Sequence, residues 1–170
     1  MWSFDATPLI YLAKVDRLSL VRDLPGRCVI PERVFEEVVD VGIEEGYPDA
    51  RRIERSVEAD RFDVVTVESS PLFTRLQRND SLSDADVAVL VCAEGTDGVA
   101  VIDETYGRDV AAAEGITTRG TAYIVLRCVK DGALGAEDGR SVIDSMIEKG
   151  WYCSPAVYAK IVAKLDSLSD

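Results

Sequence analysis

Gly98-Val99-Ala100-Val101-Ile102-Asp103-Glu104-Thr105-Tyr106-Gly107-Arg108 is the stretch that decides the fold. Four apolar, mostly β-branched residues behind a glycine predict a short strand buried on both faces, as in a parallel sheet. Two carboxylates stand at its C-terminal end, and a helical pattern resumes through Ala111–Ala113. In open parallel α/β sheets, ligands bind at that edge, where strands stop and helices begin. Asp103 is therefore a candidate site residue.

The same arrangement recurs at the start of the chain. Trp2 to Phe4 predict a first short strand that Asp5 closes. Thr7 suits a helix N-cap and Pro8 the first helical position; the helix that follows has Leu9, Ile10, Leu12 and Ala13 on its apolar side and stops near Asp16. Cys28-Val29-Ile30 predict a second strand, and Pro31 starts a helix whose apolar face gathers Val34, Phe35, Val38 and Val41. On that helix Glu37 lies nearer the edge of the apolar face than Glu36 does. Gly42 to Pro48 reads as a loop or lid base, Asp49 to Asp60 as a charged helix, and Phe62 to Val67 as an exposed or edge strand.

Pro71 to Arg78 is a short helix or a linking segment. Ser83 caps a helix over Asp84–Ala93 that is apolar almost all round, and so buried. The strand at Val99 leads into a helix to Glu114 with Gly115 as its stop, then a last short strand over Ile116–Thr118. Helices over Thr121–Lys130, Ala136–Lys149 and Pro155–Leu168 complete the pattern. Strands alternating with helices, with no repeat and no dividing linker, predict a single α/β domain over 1–170. Its central sheet is short and mostly parallel, with helices flanking it.

Bulk composition narrows the chemistry. At 170 residues and 47% apolar content the chain buries a core of ordinary size. No apolar run reaches the ~18 residues of a membrane span, and Met1-Trp2-Ser3-Phe4-Asp5 has neither a charged n-region nor an apolar h-region, so the expectation is a cytoplasmic protein with no membrane partner. Cys28, Cys92, Cys128 and Cys153 are scattered in apolar company, as reduced core cysteines are. The sequence has no histidine, which removes Ser-His-Asp and Cys-His catalysis and the usual imidazole metal sites. A net charge of −12, with only five lysines, is how a protein stays soluble in concentrated salt. We read it as a halophile's surface, which says little about partners.

Four carboxylates then stand at a strand end or on an early turn of a helix: Asp5, Glu37, Asp86 and Asp103. Converging carboxylates without histidine suit hard divalent cations, because Mg²⁺ and Mn²⁺ favour oxygen donors. Some of these acidic residues also have a structural reading. Asp86, three after Ser83, completes a capping box. Glu37 fits a solvated helix position, and Glu104 fits a helix N-terminus. Asp5 and Asp103, closing buried apolar strands, lack an obvious structural need.

The order and spacing resemble the PIN domain, the fold of metal-dependent ribonucleases that includes the VapC-type toxins. The likeness is carried by Phe4-Asp5-Ala6-Thr7-Pro8-Leu9-Ile10-Tyr11-Leu12-Ala13-Lys14, Ile30-Pro31-Glu32-Arg33-Val34-Phe35-Glu36-Glu37-Val38, Leu82-Ser83-Asp84-Ala85-Asp86-Val87-Ala88 and Ile102-Asp103-Glu104-Thr105-Tyr106-Gly107-Arg108. Arg119-Gly120-Thr121 and Gly150-Trp151-Tyr152 resemble the C-terminal half of one subfamily whose members mostly lack an assigned function. That subfamily usually has Gly-Glu where this chain has Ala85-Asp86, and a second aspartate where Glu104 stands.

The resemblance implies a PIN-like three-layer sandwich and Mg²⁺- or Mn²⁺-dependent hydrolysis of RNA. Asp5, Asp86 and Asp103, with Glu104 as a weaker candidate, would hold metal, and Glu37 would complete the site or orient the attacking water. Implied partners are an RNA substrate and, for a toxin, a small antitoxin protein; whether a second copy pairs with the chain is left open. The alternative is a non-catalytic PIN-like module that binds RNA or protein. For phosphate contacts the candidates are Arg51, Arg52 and Arg55, which also suit surface pairs with Glu54 and Glu58. Arg108 lies close after Asp103, and Arg75 and Arg78 come next.

Overall fold

The computed structural model describes residues 1–169. Its first strand, β1 (Trp2–Phe4), is buried along its whole length and takes the central place in a five-stranded sheet. Strands β2 (Cys28–Pro31) and β3 (Asp63–Val65) lie to one side, β4 (Val99–Val101) and β5 (Thr117–Arg119) to the other, in the order β3-β2-β1-β4-β5. All four pairings are parallel, with Trp2 opposite both Cys28 and Val99. The expected mostly parallel sheet is therefore wholly parallel.

The chain builds outward from β1 to β3 and then returns to β4 on the other side of β1. That reversal is a topological switch point, where adjacent connections leave in opposite directions and open a crevice beyond the strand ends. Asp5 and Asp103 both lie at this edge. The Asp5 N–H donates to the Val101 carbonyl (3.1 Å), and the Ile102 N–H to the Arg119 carbonyl (2.9 Å), so the ladder carries each chain one residue past its strand and delivers the aspartates to the crevice.

Helices flank the sheet. The helix α1 (Ala6–Lys14) follows β1 without a loop, so Asp5 itself is its N-cap residue, two positions before the expected Thr7. After β2 come α2 (Glu32–Phe35), a π-helical stretch over Glu36–Val41, and α3 (Gly42–Glu44). The expected loop from Gly42 is therefore helical at its start. A Cβ on Gly42 would meet the Ala50 Cβ at 2.8 Å; here glycine permits a close approach to the next helix, α4 (Pro48–Glu58), and does not break the chain. The wider π turns also alter which residues face inward. Val39 is buried, while Val41, expected on the apolar face, is half exposed.

The short helix α5 (Pro71–Gln77) is capped by Ser70, and α6 (Asp84–Gly95) packs buried residues on nearly every side, as its composition predicts. The Ser3 hydroxyl, buried in mid-strand, donates to the Val89 carbonyl of α6 (3.0 Å). α7 (Thr105–Ala113) leads to β5, and α8 (Thr121–Lys130), α9 (Ala136–Glu148) and α10 (Pro155–Leu168) complete the chain. The core joins both halves: Phe4 meets Phe62 edge-to-face at 5.2 Å, and Ile143, Met146 and Leu165 from the last helices lie in the same buried cluster. Cys28 and Cys128 are buried and all four cysteines are free. Among the described residues, no helix is long and apolar enough to cross a membrane.

Candidate active site

Asp5 is the focus of the crevice. Its carboxylate is buried, and its pKa is pushed from 3.8 to about 7. Burial is the main cause; the Ala6 N–H offsets part of it, and the charges of Asp86, Glu37 and Asp103 push it further up. The other three sequence-predicted carboxylates are thus all near enough to act on Asp5. Among the described residues, none of them forms an ion pair with Lys or Arg.

Three of the four line one cavity. Asp5, Ala6, Thr7, Glu37, Ser81, Ser83, Asp86, Glu104 and Tyr106 enclose about 480 Å³. Glu37 reaches it from the π-helical stretch, and its pKa is raised by partial burial and then by Asp86. Glu36 does not line the cavity and stands 3.7 Å from Arg33. Asp86 lines the cavity and also makes the capping contact its spacing predicts. Its Oδ2 accepts from the Ser83 N–H (2.9 Å) while the Ser83 hydroxyl accepts from the Asp86 N–H (3.1 Å), which closes the capping box. Its other oxygen has no protein donor among the described residues.

Asp103 is placed differently. Its Oδ1 accepts from the Thr121 N–H (2.7 Å), and its Oδ2 accepts from the Thr121 hydroxyl (2.7 Å) and the Trp151 indole N–H (3.0 Å). It lines a neighbouring cavity with Thr7, Glu104, Thr105, Trp151 and Tyr152. Gly120 makes this bonding feasible, since a Cβ there would stand 2.9 Å from Asp103 Oδ1. Thr121 and Trp151 were not among the expected site residues. Nothing in local periodicity ties positions so far apart, and the one signal was that Gly120-Thr121 and Gly150-Trp151 belong to the subfamily-like segments.

Glu104 is the N-cap residue of α7, and its two carboxylate oxygens accept from the Tyr106 and Gly107 N–H groups, each at 2.7 Å. The helix-terminus reading is therefore realised, although Glu104 also borders both cavities. Three of the six candidate arginines are engaged elsewhere. Arg52 donates to the Ala13 and Lys14 carbonyls at the end of α1 (2.7 and 3.3 Å) instead of to Glu54 or Glu58. Arg51 pairs with Glu54 at 3.1 Å, and Arg75 grips Glu114 through two hydrogen bonds.

Residues 1–167 match the family described as DUF3368, PIN domain. The chain belongs to the PIN-domain family. PIN domains are typically metal-dependent nucleases, and the parallel five-stranded sheet with its acidic edge agrees with that fold. No curated protein matches this PIN domain.

Whether the residues suit a divalent cation is a question of donors. As the side chains stand, no group of three or more Asp, Glu, Cys or His is disposed to hold one ion among the described residues. Mg²⁺, however, keeps several waters and takes only one or two carboxylates directly. Asp5 and Asp86 supply oxygens without a basic partner, and Asp5 is buried at a cost that only a proton or a cation relieves. The donor set fits a hard cation.

Proposed function

We propose that this PIN domain is a Mg²⁺- or Mn²⁺-dependent ribonuclease that hydrolyses RNA phosphodiester bonds at the Asp5–Glu37–Asp86 cavity. The observation that carries the reading is Asp5: a buried carboxylate with a pKa near 7, beside two more carboxylates and no protein cation among the described residues. Perturbed acids in a cleft mark functional sites.

Asp5 and Asp86 would hold the ion. When bound, it supplies charge to offset the phosphate oxygens and lowers the pKa of a water. Glu37, whose pKa is raised, accepts the proton of the attacking water. Asp103, with three donors on it, acts as a positioning carboxylate, and its Oδ1 retains one lone pair for a bridging water. Glu104 holds the start of α7 against the cavity and borders the ion's surroundings without being a direct ligand.

A non-catalytic module is the second reading, and one observation favours it: Asp103 and Glu104, both expected at the metal, have their oxygens in structural hydrogen bonds. The same assay separates the two. Labelled RNA is incubated with Mn²⁺ or Mg²⁺ in high salt, with wild type and Asp5→Asn. Cleavage by wild type that requires metal and is lost in Asp5→Asn supports the nuclease; RNA binding without cleavage supports the module. A toxin role adds a small neutralising protein as partner, and its co-expression should then suppress cleavage and growth arrest together.

A further inference from the structure

Resting on the nuclease reading, we propose that Tyr152 is a base-stacking subsite for single-stranded RNA entering the acidic cavity. Tyr152 is 85% exposed, an unusual state for a large aromatic ring, and it borders a cavity of about 370 Å³ with Thr7, Asp103, Glu104, Thr105 and Trp151. Thr7 and Glu104 also line the acidic cavity, so the two cavities adjoin across these residues. Tyr106, 42% exposed, stands on the acidic cavity's wall with its hydroxyl held by the Asn79 side chain.

The two residues before Tyr152 are held in place. The Trp151 N–H donates to the Met146 carbonyl (2.9 Å), its indole N–H donates to Asp103, and the Gly150 carbonyl accepts from the Tyr11 hydroxyl (3.2 Å). Tyr152 therefore follows an anchored stretch of backbone, which lessens the backbone entropy lost when a base stacks on it.

Charge explains why stacking is needed here. The chain carries −12, and Arg51, Arg52 and Arg75 are engaged with their own protein. These three are thereby drawn away from phosphates, whereas an aromatic ring binds the face of any base and is indifferent to the chain's net charge. In duplex RNA those faces are buried in the stack, so the subsite selects single strands.

The test measures binding of a short labelled single-stranded RNA, and of its duplex, by wild type, Tyr152→Ala and Tyr152→Phe. Tyr152→Ala should weaken single-strand binding about tenfold or more. Tyr152→Phe should retain it, melting curves should not move, and the salt slope should be unchanged because no phosphate contact is lost. Equal affinity in Tyr152→Ala, or preference for the duplex, overturns the subsite. Cleavage keeps the two readings apart. Metal-dependent cleavage by Tyr152→Ala at the wild-type KM removes the subsite and leaves the nuclease. Failure of wild type to cleave or bind any RNA removes both.

Discussion

The indole of Trp151 donates to the carboxylate of Asp103 across 48 residues of sequence, at 3.0 Å. Two segments of the C-terminal half thus converge on one residue of the sheet edge, because Thr121 at the start of α8 holds the same carboxylate through its N–H and its hydroxyl. The last three helices are fastened to the crevice by this junction. A carboxylate with three donors is also held in one orientation, and its charge is one of those that push the Asp5 pKa up.

Removing one donor from this junction should cost stability more than chemistry. Thr121→Val keeps the backbone bond and loses the hydroxyl, and Trp151→Phe loses the indole N–H. Each should cost about 1.5–3 kcal/mol, the range for a hydrogen bond to a charged group, read as a lower urea midpoint. The double variant should lose less than the two single losses together, since both act on the Asp103 Oδ2. Strict additivity would show that the two contacts are independent.

Asp5 makes stability depend on pH in a definite direction. Its pKa is 3.8 when free and about 7 in the metal-free folded protein, so between those values the folded state binds more protons than the unfolded one. Stability is then highest below about pH 4, falls as pH rises to 7, and levels off above it, with a span on the order of 4 kcal/mol from this residue. Other carboxylates add their own slopes, so the comparison is with Asp5→Asn. The variant keeps a good N-cap residue for α1 and should be more stable than wild type at pH 8, without gaining at pH 4. Chemical denaturation at the two pH values, in chelator, checks this; a variant less stable at pH 8 contradicts it.

Glu37 and Glu36 are neighbours with opposite surroundings. Glu37→Gln should lower the cleavage rate at least ~10²-fold, about 2.7 kcal/mol of transition-state stabilisation. Glu36→Gln, which loses only a long exposed contact with Arg33, should be near neutral. Single-turnover rates at saturating RNA make the comparison, and equal losses would place the proton acceptor elsewhere.

Much of the fold was legible because each strand end is written locally. Phe4 before Asp5, and Val101-Ile102 before Asp103, mark the change from buried apolar chain to polar crevice. Helix limits over 121–130 and 155–168 agree with those read from the sequence. Other features depend on contacts no window contains. The π turns that bury Val39 and expose Val41 break the period used to assign that helix face, yet they leave Glu37 on the cavity side. Gly42 resembles a helix stop until Ala50 is seen against it. Asp103 appeared to lack a structural need because its partners, Thr121 and Trp151, are 18 and 48 residues away. Arg52 paired with backbone carbonyls 38 and 39 positions distant, which charge spacing cannot anticipate.

Mn²⁺ titration followed by thermal melting is the most direct measurement of the acidic cavity. An ion that binds only the folded state stabilises it by RT ln(1 + [L]/Kd). The melting temperature of wild type should climb with Mn²⁺ at pH 8, with that climb abolished in Asp5→Asn and reduced in Asp86→Asn, which keeps an oxygen for the Ser83 cap. A wild-type curve unmoved by Mn²⁺, or a climb equal in all three proteins, would contradict a metal site at Asp5 and Asp86.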